Sequence, residues 1–117
     1  MFIAAAQARK FYEHVASEGR LFTFCDDGQL LIFPNGGFEV IPFWSSQSRL
    51  ERVQKQHPKF RGCAFDETSL MEFVSDLAPR LHADGVRIGV NGSGERLRGY
   101  DVEVAHVLRN LKHYTDR

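Results

Sequence analysis

The sequence predicts a mixed α/β (α+β) fold: a single mixed sheet in which an antiparallel meander precedes a β-α-β-α-β unit, with helices packed on the sheet. Four segments carry helical signals, either apolar residues three and four positions apart or capping residues. Five short runs rich in apolar and aromatic residues lie between turn signals and are typical of strands. Hairpin-linked strands pair antiparallel and strands separated by helices favour parallel crossovers, so both pairings are expected.

The first part of the chain is expected to form one helix and the meander. The apolar face of the helix comprises Ala4, Ala8, Phe11, Tyr12 and Val15. Gly19 should end this helix, and strands are predicted over 21–25, 29–33 and 38–43. The turns are 26–28 and 34–37, where glycine can adopt positive φ. Because Pro42 lacks an N–H group, the third strand should lie at an edge or end there.

The second part is expected to alternate helices with strands. A helix over 45–56, with a possible capping box at Ser48–Glu51, should precede a strand over 60–65. Asp66 or Thr68 should cap the third helix, which Pro79 should bend before Gly85 ends it. A strand over 86–90, a glycine-rich loop over 91–99 and a final helix capped by Asp101 complete the prediction.

Composition predicts one cytoplasmic domain over residues 1–117. Fifteen basic and fifteen acidic side chains leave no formal net charge, which disfavours nucleic acid and anionic membranes as partners. The two cysteines have no metal-type spacing and are expected to be free thiols. We expect neither a signal peptide nor a membrane span, since no apolar run approaches the roughly 20 residues that a span needs.

Several short motifs resemble domain-of-unknown-function family 2750, a family of small bacterial proteins. They are Phe24-Cys25-Asp26-Asp27-Gly28, Pro42-Phe43-Trp44-Ser45, Glu72-Phe73 with Leu77 and Leu81, Asp84-Gly85-Val86, Gly89-Val90-Asn91 and Gly99. The resemblance runs from about Ala8 to Leu111, and Pro-Phe-Trp-Ser is its most specific part. It implies a small prokaryotic cytoplasmic domain without assigned activity or catalytic residues.

The best candidate for a ligand site is a pair of loops that each follow a predicted strand. The candidate ligand-binding residues are Trp44, Ser45, Ser46, Asn91, Gly92 and Gly94. If the two strands are parallel, both loops open at the carboxyl edge of the sheet, where open α/β sheets place ligands. A helix that begins after Ser46 would also offer free N–H groups to an anion. The alternative is structural: Trp44 in the core, a serine as N-cap, and the glycines as turns.

The sequence lacks the motifs that are typical of nucleotide-binding, metal-binding and hydrolytic sites. Gly92, Gly94 and Gly99 do not have the spacing of a nucleotide loop, and no Gly-Lys-Ser/Thr follows them. The histidines do not gather at metal-ligand spacing, so we predict neither a metal site nor a cofactor. No G-x-S-x-G nucleophile elbow is present, and no catalytic residue is assigned.

Three functions therefore remain open. The leading hypothesis is a non-enzymatic binding module that recognises an unknown protein or a small anionic ligand through the loops at Trp44 and Asn91. A small hydrolase could instead use Ser45 or Ser46 with a histidine that folding brings close. The third hypothesis is a homo-oligomer such as a homodimer, because basic residues over 49–61 precede acidic residues over 66–76 and such faces can pair.

Overall fold

The described part of the chain, residues 3–93 and 98–116 of a computed structural model, contains five α-helices and seven strands. The helices are α1 (Ile3–Glu18), α2 (Gln47–Gln56), α3 (Leu70–Glu72), α4 (Ala78–Ala83) and α5 (Val104–Thr115). A 3-10 turn (Pro58–Phe60) follows α2, and a π-helical turn (Phe73–Leu77) joins α3 to α4. The strands are β1 (Arg20–Asp26), β2 (Gln29–Leu30), β3 (Phe33–Asn35), β4 (Phe38–Phe43), β5 (Ala64–Ser69), β6 (Arg87–Ser93) and β7 (Arg98–Glu103). No helix in this part of the chain is long and apolar enough to cross a membrane.

The strands form two sheets, so the prediction of a single sheet is wrong in that detail, whereas the mixed α/β class is confirmed. One sheet has the order β2-β1-β5 and is antiparallel. The other has the order β3-β4-β6-β7, in which β4 and β6 are parallel and the remaining pairs are antiparallel. The two sheets separate at residues 31–32. The chain was expected to continue there as one strand beside β1, but it leaves β1 and forms β3 beside β4. A single bridge between Phe22 and Trp44 joins the two sheets, with backbone N···O distances of 2.9 and 2.8 Å.

Local signals in the first part of the chain are confirmed. Gly19 follows α1 with φ of 75°, and Asp27 and Gly28 form the first turn with φ of 54° and 80°. β3 pairs with β4 only as far as Val40, so Pro42 has no partner on that side, as its missing N–H group requires.

Two hydrophobic clusters lie on opposite faces of β1. Leu21 belongs to the larger cluster, which also includes the inner faces of α1, α4 and α5. Phe22 and Phe24 belong to the smaller cluster, which Trp44 and α2 complete. Alternate side chains of a strand point to opposite faces, so the apolar run in β1 is explained by cover on both sides.

The structure corrects two predictions around β5. The strand expected over 60–65 begins only at Ala64, and it pairs with β1 as far as Ser69 opposite Arg20. Because this pairing keeps Asp66 and Thr68 extended, neither caps a helix. The cap is Ser69, whose Oγ accepts a hydrogen bond from the Glu72 N–H group at 3.1 Å. The bend expected at Pro79 is preceded by the π-helical turn, which ends immediately before α4.

The loop predicted over 91–99 is largely a β-hairpin. Asn91 continues β6, β7 begins at Arg98, and Gly94 lies outside the described residues. Asp101 does not cap α5, because it lies in β7, where its carboxylate pairs with Arg87 at 3.3 Å. Asp101, which the sequence predicted as a helix cap, therefore forms an ion pair with the neighbouring strand instead.

Candidate functional site

The two candidate loops meet at one edge of the second sheet. The parallel pairing of β4 with β6 ends at Phe43 beside Val90, so the next residues of each segment, Trp44 and Ser45 after β4 and Asn91 and Gly92 within β6, lie together at that edge. The Trp44 Nε1–H group donates to the carbonyl of Gly92 at 2.8 Å, and the Ser45 N–H group donates to Asn91 Oδ1 at 2.9 Å.

The side chain of Asn91 makes hydrogen bonds to two other segments at the site. Its backbone is left-handed, with φ of 51°, and its side chain is only 1% exposed. Its Oδ1 accepts from the Ser45 N–H group, and its Nδ2 group donates to Ser45 Oγ at 3.1 Å and to the Gln7 carbonyl at 3.3 Å. The amide orientation is fixed, since a flip would place an N–H against the Ser45 N–H and an oxygen against the Gln7 carbonyl. One side chain therefore joins α1, the end of β4 and β6.

Ser45 is also in contact with a histidine of α1. His14 Nδ1 lies 3.3 Å from Ser45 Oγ. Because Asn91 already donates to that oxygen, the Ser45 hydroxyl proton can point to Nδ1 when the imidazole is neutral with its proton on Nε2. In the imidazolium form, Nδ1–H donates to Oγ instead. The Asn91–Ser45–His14 chain of hydrogen bonds thus runs from a buried amide to an exposed ring.

Trp44 occupies the position that the structural alternative predicted for it. The indole is 1% exposed and contacts the Phe24 ring edge-to-face, at 5.3 Å between centroids and 71° between planes. Trp44 and Asn91 therefore support the site from below, and any ligand would reach Ser45 and Ser46 before it reached them.

Ser46 is the N-cap of α2. Its Oγ accepts from the Arg49 N–H group at 3.3 Å, two residues before the capping box that the sequence indicated at Ser48. The first N–H groups of α2 consequently lie beside Ser45, with the positive end of the helix dipole.

A small cleft opens over these residues. Its volume is about 140 Å³, close to the roughly 150 Å³ of an engineered cavity that holds benzene. The lining residues are His14, Glu18, Arg20, Phe22, Ser45, Ser46, Gln47 and Glu67. Arg20 and Glu67 approach within 3.9 Å across it, and both side chains are about half exposed, so their pairing contributes roughly 0–1 kcal/mol. The cleft is thus polar, of mixed charge, and sized for a small molecule.

The structure places five of the sequence-predicted residues at this edge, and the charged and titratable cleft residues that sequence reasoning missed lie on α1, β1 and β5. Ser45 and Ser46 line the cleft, Trp44 and Asn91 lie beneath it, and Gly92 accepts the indole hydrogen bond. The missed residues are His14, Glu18, Arg20 and Glu67. His14 and Glu18 are four residues apart on one helix, which places them on one face, but no local pattern relates that face to Ser45. Among the described residues, no group of three His, Cys, Asp or Glu side chains could hold a metal ion.

Comparison with known protein families matches residues 8–111 to the family described as "Protein of unknown function (DUF2750)". No curated protein matches the chain. The matched range includes every cleft residue as well as Asn91 and Gly92.

Proposed function

Because the chain belongs to DUF2750, a family of proteins of unknown function, we propose its function from the cleft itself: a binding module for a small anionic ligand. The observation that carries the proposal is the meeting of Arg20, His14 and the first turn of α2 around one small opening. The ligand would be a small molecule with one carboxylate or phosphate group, since the opening has room for little more.

The donors around the cleft favour an anion. Arg20 supplies a guanidinium, His14 an imidazole, and the N-terminus of α2 supplies backbone N–H groups together with its dipole. Glu67 lies 3.9 Å from Arg20, a loose contact that a ligand oxygen at hydrogen-bond distance would replace. Glu18 adds a second carboxylate to the lining, so a single anionic group is favoured over several.

Trp44 and Asn91 act in this proposal as supports. The indole and the amide hold Gly92 and Ser45 in place, which fixes where α2 begins and where its N–H groups point. Removing either side chain would weaken ligand binding through misplacement of Ser45 and Ser46.

Titration of isotope-labelled protein with inorganic phosphate or acetate, followed by amide chemical shifts, tests the proposal. We expect shifts in Arg20, Ser46 and Gln47 and a dissociation constant that rises about 10-fold or more in Arg20→Gln, as roughly 1.5–3 kcal/mol for a charged hydrogen bond implies. Arg9→Gln is the matched control, because Arg9 is also an exposed, ion-paired arginine but lies outside the cleft lining. No shifts at millimolar anion, or equal weakening in both variants, would refute the binding site.

A second candidate, a small hydrolase, is favoured by the 3.3 Å contact between His14 Nδ1 and Ser45 Oγ. Ser45 Oγ would attack the carbonyl carbon of a small ester while its proton passes to His14 Nδ1. The imidazolium would return that proton to the departing alcohol, leaving Ser45 acylated, and water would then release the acid. Asn91 would serve as a positioning residue, since its amide leaves the hydroxyl proton directed at His14.

Labelling with a fluorophosphonate probe, read by intact mass, tests this second candidate. We expect one adduct, absent in Ser45→Ala and much slower in His14→Gln, whereas Ser48→Ala, which changes an exposed serine at the start of the same helix, labels normally. Failure of labelling with intact phosphate binding would reject hydrolysis and leave the binding module in place.

A further inference from the structure

A cluster of five cations on and after α2 has no ion pair within the described residues. We call it the basic face; it comprises Arg49, Arg52, Lys55, Lys59 and Arg61. The four ion pairs of the described chain all lie elsewhere: Arg9–Glu13, Arg20–Glu67, Arg80–Asp76 and Arg87–Asp101. Glu51 is the one carboxylate between 47 and 62, and its Oε2 accepts a hydrogen bond from Gln47 at 3.3 Å.

The spacing of the helical cations follows from how α2 packs. Leu50 and Val53 are buried in the smaller cluster, so Arg52 and Lys55 lie on the outer side of the helix and the partly buried Arg49 lies at its flank, each cation three residues from the next. Lys59 extends the face beyond α2, with its Nζ held 4.2 Å from the centre of the Phe33 ring. At about 1.5 Å per residue, α2 spreads its cations over roughly 10 Å or more.

Folding leaves the repulsion among these cations uncompensated. Partial burial lowers the pKa of Arg49, and the charge of Arg52 lowers it further, because each makes the guanidinium charge less favourable. Like charges at this helical spacing destabilise a helix. An anionic partner would relieve this repulsion on binding.

We propose that the basic face binds an extended acidic segment of a partner protein. An extended chain rises about 3.3 Å per residue, so side chains on one of its faces recur about every 6.6 Å, and three carboxylates cover roughly 13 Å, which exceeds the roughly 9 Å rise from Arg49 to Lys55. This site is separate from the cleft, whose lining contains none of the five cations.

A second copy of the chain is a poorer occupant. Its acidic residues over 66–76 are partly neutralised already, since Glu67 pairs with Arg20 and Asp76 pairs with Arg80 at 3.0 Å. Within 66–76, only Asp66 and Glu72 remain without an ion pair to meet five cations.

Nucleic acid is also a poorer occupant, because single strands are held by stacking on exposed aromatic rings. Phe60, within the basic face, is fully buried. The Phe33 ring beside it is covered by Lys59.

Fluorescence anisotropy with a labelled ten-residue peptide of alternating Glu and Ser tests the proposal. We expect saturable binding that weakens about 10-fold or more in the double variant Arg52→Glu, Lys55→Glu. The matched control is Arg109→Glu, Lys112→Glu on α5, which reverses two exposed cations at the same three-residue spacing and should change affinity less than two-fold. Circular dichroism of both variants verifies the fold.

Several outcomes would overturn the proposal. They are absence of peptide binding, equal loss in the α5 control, and tighter binding of a single-stranded oligonucleotide of the same charge. Concentration-dependent association in light scattering that the α2 reversal abolishes would assign the face to a second copy instead. Peptide binding that survives Arg20→Gln would separate this site from the proposed cleft.

Discussion

Replacement of Asn91 by alanine and by glycine should separate two contributions to the stability of the site. The side chain accepts the Ser45 N–H group at 2.9 Å, and the backbone adopts a φ of 51° that glycine tolerates and alanine does not. Alanine removes the hydrogen bonds and introduces backbone strain, because asparagine tolerates the left-handed region better than alanine does, whereas glycine removes the hydrogen bonds without that strain.

The magnitudes follow from burial and geometry. Ser45 is 2% exposed, so its N–H group would lose its acceptor out of reach of bulk water, at a cost of about 1–3 kcal/mol. A left-handed alanine adds roughly 1–2 kcal/mol. The Gln7 carbonyl adds little, because its 3.3 Å contact with Asn91 is long. We therefore expect Asn91→Ala to lose about 2–5 kcal/mol of unfolding free energy and Asn91→Gly about 1 kcal/mol less than that.

Urea unfolding is a suitable assay, since the single tryptophan, Trp44, donates its indole hydrogen bond to Gly92, the neighbour of Asn91. Tryptophan fluorescence should report unfolding around the site. Circular dichroism, which reports the whole chain, should give the same urea midpoint if unfolding is two-state. Equal stability of the alanine and glycine variants would refute the strain argument. A loss below about 0.5 kcal/mol in both would refute the buried-donor argument.

Three further changes have defined outcomes. Trp44→Phe keeps an aromatic ring but leaves the Gly92 carbonyl without its indole donor, so thermal unfolding should show a loss of about 1–3 kcal/mol. Gly28→Ala should cost about 1–2 kcal/mol in urea unfolding because its φ is 80°, whereas Gly62→Ala, where no positive φ is required and a Cβ meets nothing within 4 Å, should be nearly neutral. Burial raises the pKa of Tyr12 above 10.0, so above that pH the unfolded chain releases a proton that the folded chain retains, and stability should fall as pH rises. Tyr12→Phe should lose this part of the decline, measured as the difference in urea midpoints between the two proteins.

Each of these outcomes can fail independently. An unchanged thermal midpoint in Trp44→Phe would mean that the Gly92 carbonyl finds another donor. Equal losses at Gly28 and Gly62 would contradict the turn argument. Identical pH profiles for the parent and Tyr12→Phe would contradict the effect of burial on the phenol.

Elements whose signals lie within a few residues could be predicted from the sequence. α1 ends before Gly19, the first hairpin turns at Asp27 and Gly28, and β4 covers the range predicted for the third strand. In each case the cause is local: amphipathic spacing, a residue that tolerates positive φ, or a run of apolar and aromatic side chains.

Elements whose limits depend on distant partners could not be predicted in this way. Ser69 rather than Asp66 caps α3 because the pairing of β5 with β1 continues to that residue. Asp101 carries the local signal of a cap, yet it lies in a strand that pairs with β6, where its carboxylate faces Arg87. Local capping preference is worth about 1 kcal/mol, so a strand that gains several ladder bonds overrides it.

Within the candidate site, too, one feature could be predicted from the sequence and another could not. That the loops after β4 and β6 should meet followed from parallel pairing, a rule of topology that needs no side-chain detail. The contact between Ser45 and His14 did not follow, because it depends on how α1 crosses the sheet, and those residues are 31 positions apart. At this edge two contacts connect α1 with β6: Gln7 Nε2 donates to Ser93 Oγ at 2.6 Å, and Asn91 Nδ2 donates to the Gln7 carbonyl at 3.3 Å. Asn91, which the sequence placed in a glycine-rich loop and among the candidate ligand-binding residues, is thus a buried residue of β6 whose side chain holds Ser45 beside the cleft.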